Sequence, residues 1–167
     1  MASNMFILIN SQDGGAVQGE SVVADYKNQI EVTGVQWGVA QTGSAHSGLG
    51  GSTGTATVDD VTITAIVDKS FPILAQMAHT GAHIANATLT ICKTTGGKLL
   101  PYLVIKMTGG LVSRVSLNGS TPEGGTSVHT MLVSLNFSQV EFDYTPQTAA
   151  GQGGAAVTGK LDIAGNA

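Results

Sequence analysis

The sequence predicts a mainly β fold, a small β-barrel of two sheets with long bulged strands and one short flanking α-helix. Three observations carry that expectation. β-branched and other apolar residues alternate with polar ones in several runs separated by Gly-rich turns. Two of the longest runs change phase midway, and a single stretch has helical spacing. With 167 residues the chain is sized for one domain, spanning 1–167.

In chain order, the alternation predicts strands at Met5 to Asn10, Ile30 to Gln41, Thr57 to Val67, Ala87 to Lys93, Tyr102 to Thr108, Leu111 to Ser116, Thr130 to Tyr144 and Val157 to Ile163. In the second, Ile30 and Val32 point one way and Val35, Trp37 and Val39 resume the apolar series after a one-residue slip at Gly34. In the run from Thr130, Met131, Val133, Leu135 and Phe137 share a face, and Val140, Phe142 and Tyr144 resume it after a slip around Ser138 and Gln139. An extra residue in a strand bends it, so both slips predict β-bulges in strands that turn the corner of a small barrel. Trp37, the one tryptophan, is expected to be the central core aromatic, with Gln36 pointing away from the core. A helix is expected after Asp68 or Ser70, with Pro72 in its first turn, a stripe of Ile73, Leu74, Met77 and Ala78, and Gly81 at its end.

Residues 42–54 form a Gly-rich stretch with five glycines and no charge. So little apolar content cannot order a loop of that length alone, which suggests a loop ordered by a neighbouring molecule.

Charge is sparse: 7 Lys+Arg and 11 Asp+Glu make 11% of the chain, against the roughly 25% of an ordinary domain. The difference is made up by 23 Gly, 19 Thr and 13 Ser. Small neutral outward groups tolerate close contact with another protein, so the composition describes a surface built to be covered. A net charge of −4 argues against a nucleic-acid partner, which requires a basic stripe to displace counterions. The first residues show neither a basic region nor a long apolar run, and no stretch is long enough to insert in a membrane. The chain is therefore expected to be made in the cytoplasm and, if exported, to leave without a cleaved signal peptide.

Motifs that could carry catalysis lack the context it needs. Gly50-Gly-Ser52-Thr-Gly54 has the spacing of a nucleophile elbow but not its flanking strand and helix, so a hydrolase using Ser52 is the weakest reading. Gly154 to Lys160 has phosphate-loop spacing, yet Leu161 stands where a magnesium-binding hydroxyl belongs and the segment alternates like a strand. His79 and His83 are separated by the helix-ending Gly81, while His46 and His129 have no acidic or thiol companion nearby, so no metal or cofactor is expected. Glu141 and Asp143 fall on the outward face of their strand, and Cys92 reads as a small buried hydrophobe. No catalytic residue is expected.

The series Ile30-Glu-Val-Thr-Gly-Val-Gln-Trp37-Gly-Val-Ala-Gln41, Asp68-Lys-Ser-Phe-Pro72-Ile-Leu74, Ala87-Thr-Leu-Thr-Ile91-Cys-Lys93, Tyr102 to Lys106, Val112 to Ser116 and Val133 to Tyr144 resembles, in order and spacing, the haemolysin-coregulated protein (Hcp) family of type VI secretion systems. The resemblance implies a structural tube subunit: a homo-hexamer whose rings stack into a hollow inner tube, carry small effector proteins in the lumen and are ejected behind a spike tip protein by a contractile sheath. It implies that Gly43, Ser44, His46, Gly48, Leu49, Gly50 and Gly51, in the 42–54 loop, reach neighbouring subunits in ring stacking. By analogy Gln36, Ser113 and Ser116 are candidate lumen residues, and the charges are expected on the outer wall. The tail tube of a contractile phage-like particle is the alternative of the same architecture.

Overall fold

The computed structural model describes residues 4–41, 55–121, 123–148 and 153–165. The strands are β1 (Met5–Ser11), β2 (Gly15–Val17), β3 (Ile30–Gln36), β4 (Val39–Ala40), β5 (Thr57–Val58), β6 (Val61–Ile66), β7 (His83–Thr95), β8 (Lys98–Ser120), β9 (Val128–Tyr144) and β10 (Val157–Asp162), with one helix, α1 (Phe71–Thr80), between β6 and β7. The class is mainly β with one short helix, as the alternation predicts.

The strands divide very unequally between two sheets. Eight strands belong to one sheet in the order β10-β9-β6-β3-β1-β7-β8, with β2 on β1 and a further pairing of β8 to β9, while β4 and β5 form a separate two-stranded ribbon. One edge of the long β9 is shared in succession, Thr130–Leu135 pairing with β6 and Gln139–Tyr144 with β10. The outer edge of β10 has no strand beside it among the described residues.

Both predicted phase slips are present, by different means. Between Val32 and Gly34 the pairing of β3 with β6 shifts by one residue, so Thr33 is the extra residue of a bulge. Around Ser138 the register of β9 against β8 does not shift: Thr108 pairs with Gln139 and Gly110 with Phe137, and the kink is taken by both strands together. Gly109 opposite has φ of 60°, and a Cβ on Gly110 would lie 1.9 Å from the Asn136 carbonyl oxygen. Only glycine lets β8 follow the bend of β9. Those two glycines therefore continue one 23-residue strand where the sequence suggests two.

The core side is lined by Ile7, Ile9, Ile30, Val32, Val61, Ile63, Leu89, Met131, Val133 and Leu135, all buried, with Leu74 and Met77 of α1 placed over it. Asp68 holds the helix start by accepting the Ser70 N–H at 2.9 Å, and Gly81 ends it with φ of 68° while donating to the Met77 carbonyl. Ile73, expected in the stripe, is exposed. The stripe is Leu74 and Met77, both buried, with Ala78 and also Phe71 packed partly buried against the core.

Two further expectations are corrected where β3 leaves the sheet. Val35 and Val39 are exposed, since β3 ends at Gln36 and Val39 belongs to the ribbon with β5. Trp37 lies at that exit, partly buried and tilted on Phe142 at 4.8 Å, with its indole N–H buried and without a partner among the described residues. The fully buried aromatic is Phe6, on the opposite side of β1. Tyr26, from the turn Ala24–Tyr26, stacks on it at 4.3 Å, and the Cys92 thiol donates to the Tyr26 hydroxyl at 3.2 Å. Burial pushes the Cys92 thiol and, more strongly, the Tyr26 phenol above their ordinary values. Cys92 is thus the inert, buried group expected of it.

Candidate functional site

Cross-strand pairing places directly opposite residues on the same side of a sheet. One row runs Gln36, Thr62, Ser134, Arg114 across β3, β6, β9 and β8, and the next runs Gly34, Thr64, Leu132, Ser116. Ile63 and Val133, on the alternate positions, are buried in the core. The two rows therefore lie on the side of a four-stranded segment away from the core, with Gln36 and Arg114 exposed and Ser134 buried between its neighbours. Thr62 and Ser134 share a hydrogen bond at 2.8 Å, and Arg114 Nε donates to Ser116 Oγ at 3.0 Å.

The bulge in β8 between Val112 and Arg114 makes Ser113 the extra residue. Its hydroxyl donates to Asp60 Oδ2 and lies 3.1 Å from the Ser134 carbonyl oxygen, while Asn136 Nδ2 donates to Asp60 Oδ1 at 2.8 Å. Asp60 is thereby held by two neutral donors. The bulge also sets the phase of the next three residues, sending Arg114 and Ser116 outward and Val115 toward the core. Gln36, Ser113 and Ser116, widely separated in sequence, are brought to one neutral, hydroxyl- and amide-bearing face. Sequence reasoning missed Thr62, Thr64, Ser134, Asn136 and Asp60 there, because only register across three strand pairings groups them. The loop residues Gly43, Ser44, His46, Gly48, Leu49, Gly50 and Gly51, and Ser52, lie outside the described residues.

Beyond the kink the outward face is different in kind. Thr88, Lys106, Glu141 and Lys160 form a row across β7, β8, β9 and β10. Lys106 Nζ reaches Glu141 at 3.2 Å and Asp143 at 2.7 Å, and Lys160 Nζ reaches Glu141 at 2.7 Å. Lys160 first and then Lys106 hold the Glu141 carboxyl below the usual carboxylate range, and Lys106 with the Thr158 hydroxyl does the same for Asp143. The same bonds, that to Asp143 foremost, raise Lys106. These carboxylates are saturated by cations and project to solvent, an arrangement for a charged wall.

Other candidates stay dispersed. His79, His83 and His129 are exposed, and the described residues contain no group of three potential metal ligands. Lys160 sits in strand β10, so Gly154 to Lys160 does not open a helix as a phosphate loop would. Among the described residues no helix is long and apolar enough to cross a membrane.

Comparison with known proteins decides what a neutral face and a charged face on one bent sheet belong to. Residues 6–144 match the family described as type VI secretion system effector, Hcp. The chain belongs to the Hcp family. It is 42% identical over 151 residues to protein hcp1 of Pseudomonas aeruginosa, covering 90% of this chain and 88% of that one. A solved structure described as a type six secretion system protein superposes with a TM-score of 0.85 at 27% identity over 98% of both chains, and Hcp1 of Salmonella typhimurium with 0.72 at 28% over 98% and 97%. A baseplate chain of the anti-feeding prophage, at 9% identity and TM-score 0.50, shares the fold alone. Hcp proteins are secreted structural components of type VI secretion, so this chain is a tube subunit and not an enzyme.

Proposed function

We propose that this Hcp subunit closes into a hexameric ring whose inner wall is the face bearing Gln36, Thr62, Ser134 and Ser116, and that rings stack into the tube. One observation carries the reading: the neutral face is bounded by two unpaired strand edges. β1 pairs with β3 only at Ile30–Val32, and β7 pairs with β8 only as far as Leu111, so Thr33–Gln36 and Val112–Ser120 have no strand beyond them among the described residues. The four strands alternate in direction, from β3 to β6 to β9 to β8. An edge of β8 laid against the β3 edge of the next copy therefore makes another antiparallel junction. Two different patches of one chain meeting in this way give a heterologous contact that closes as a ring, and edge pairing supplies its main-chain hydrogen bonds.

In this reading small effector proteins travel against the neutral face, the charged wall of Lys106, Glu141, Asp143 and Lys160 faces the contractile sheath, and Gly43 to Gly51 reaches the adjoining ring. The spike tip protein closes the leading end. The chain is made in the cytoplasm and leaves through the apparatus it helps to build. Velocity sedimentation of the purified protein tests the ring: a hexamer is expected, and a monomer at every concentration overturns it.

A further inference from the structure

The inner-wall rows are neutral but for one side chain. Arg114 is the one cation in them, and among the described residues it makes no ion pair. A hydrogen bond from Nε to Ser116 Oγ orients the guanidinium, and among the described residues the terminal Nη donors have no partner. The one carboxylate at the border of this face, Asp60, is by contrast already engaged by Ser113 and Asn136. Among the described residues, the one cation on the face is thus a forked donor. A planar guanidinium held in this way matches a carboxylate in bidentate geometry, which a lysine in the same place does not. The β8 bulge contributes directly, since an unbulged strand would place residue 114 on the core side.

The geometry points to Arg114 as the cargo-contacting residue of the inner wall, selecting small proteins that present surface carboxylates. This rests on the inner-wall reading of the proposed function. In a closed ring every subunit contributes one such donor, so a cargo with several exposed Glu or Asp side chains meets a girdle of identical partners, and weak single contacts add through effective concentration. Neutral hydroxyls around the girdle give hydrogen bonding that adapts to cargo shape, leaving the sign preference to Arg114.

The test uses assembled protein and two peptides of equal length carrying an uncharged dye, one a Gly-Ser chain with interspersed Glu, the other the same chain with Lys. Wild-type assemblies are expected to hold the Glu peptide about tenfold more tightly, equivalent to about 1.4 kcal/mol. Arg114→Gln should remove that preference while sedimenting as the wild type does, and Arg114→Lys should recover less than half of it. A preference that survives Arg114→Gln, or is absent from wild type, overturns the proposal. Full preference in Arg114→Lys overturns the bidentate contact. Loss of assembly in Arg114→Gln also overturns it, by making Arg114 a subunit contact. Gln36→Cys reads the inner wall separately: in assemblies a small maleimide should label it and a large polymer-linked maleimide should not. Equal labelling by both would remove the inner-wall reading itself, whatever the peptides do.

Discussion

The β8–β9 hairpin is built from two strands, yet its halves present different surfaces. Before the kink, Leu111–Ser120 and Val128–Phe137 turn outward Thr130, Ser134, Asn136, Ser116 and a lone Arg114. After it, Lys98–Thr108 and Gln139–Tyr144 turn outward Lys106, Glu141 and Asp143, joined by Lys160 of β10. The core side is apolar in both halves, so burial does not explain the difference. What differs is the neighbour on the other edge: β6 and then β3, whose Thr33–Gln36 has no strand beyond it among the described residues, for the neutral half, and β10 for the charged half. The chain's few charges are therefore segregated and not merely diluted. Few charges beside the strand edges then have to be desolvated when another copy pairs with those edges.

The most severe way to break this comparison is at the joint. In Gly110→Ala the new Cβ would meet main-chain atoms of Asn136 and Phe137, so the β8–β9 ladder must separate locally. We expect a loss of about 3 kcal/mol or more, or no folded protein. Gly109→Ala places a side chain at φ of 60° and 2.8 Å from the Ser138 hydroxyl, which can rotate, so about 1–2 kcal/mol is expected. Urea denaturation ranks the two, and equal midpoints would mean that the kink does not depend on close backbone approach.

Within the neutral half, Asp60→Ala removes the acceptor shared by Ser113 and Asn136. These groups retain access to water, so the expected loss is about 1–2 kcal/mol. Asn136→Ala in the Asp60→Ala background should cost less than in the wild type, and additive losses in that double-mutant cycle would show that the two residues act independently.

Much of this hairpin is legible in the sequence because period-two burial is a local property. Met131, Val133, Leu135 and Phe137, then Val140, announce both the strand and its phase change. The means of the phase change is not legible, since it depends on Gly109 and Gly110 lying opposite Ser138 and Phe137, and read alone those glycines suggest a turn. Trp37 and Val39 mislead for a related reason: their alternation continues that of Ile30 and Val32, but the chain leaves the sheet at Gln36 to form a ribbon with β5. The Phe6–Tyr26–Cys92 cluster has no periodic signature, because Tyr26 arrives on a single 3₁₀ turn held by the Asn28–Ser21 and Gly19–Asn28 main-chain bonds. The candidate face is legible only as isolated hydroxyls. Its unity comes from register between strands far apart in sequence, which no local pattern encodes.

The smallest effect is expected in the charged half, and its pH dependence distinguishes it from the neutral half. Glu141 and Asp143 have folded-state pKa values lowered by Lys160 and Lys106, so the unfolded chain takes up protons more readily than the folded one. Their contribution is therefore present in full above the ordinary carboxylate range near about 4 and is lost as pH falls through the lowered values. Lys106, raised by the same contacts, contributes below its ordinary value and is lost as pH rises through the raised one. Glu141→Gln should flatten the acid limb of a stability–pH curve while scarcely moving the neutral-pH midpoint, because these pairs are exposed to solvent. At about 1 M salt, where the screening length is about 3 Å, wild type and variant should converge. Asp60→Ala should keep its loss under the same salt, since its bonds to Ser113 and Asn136 are to neutral partners. A salt response of equal size in the two variants would dissolve the distinction between the two halves.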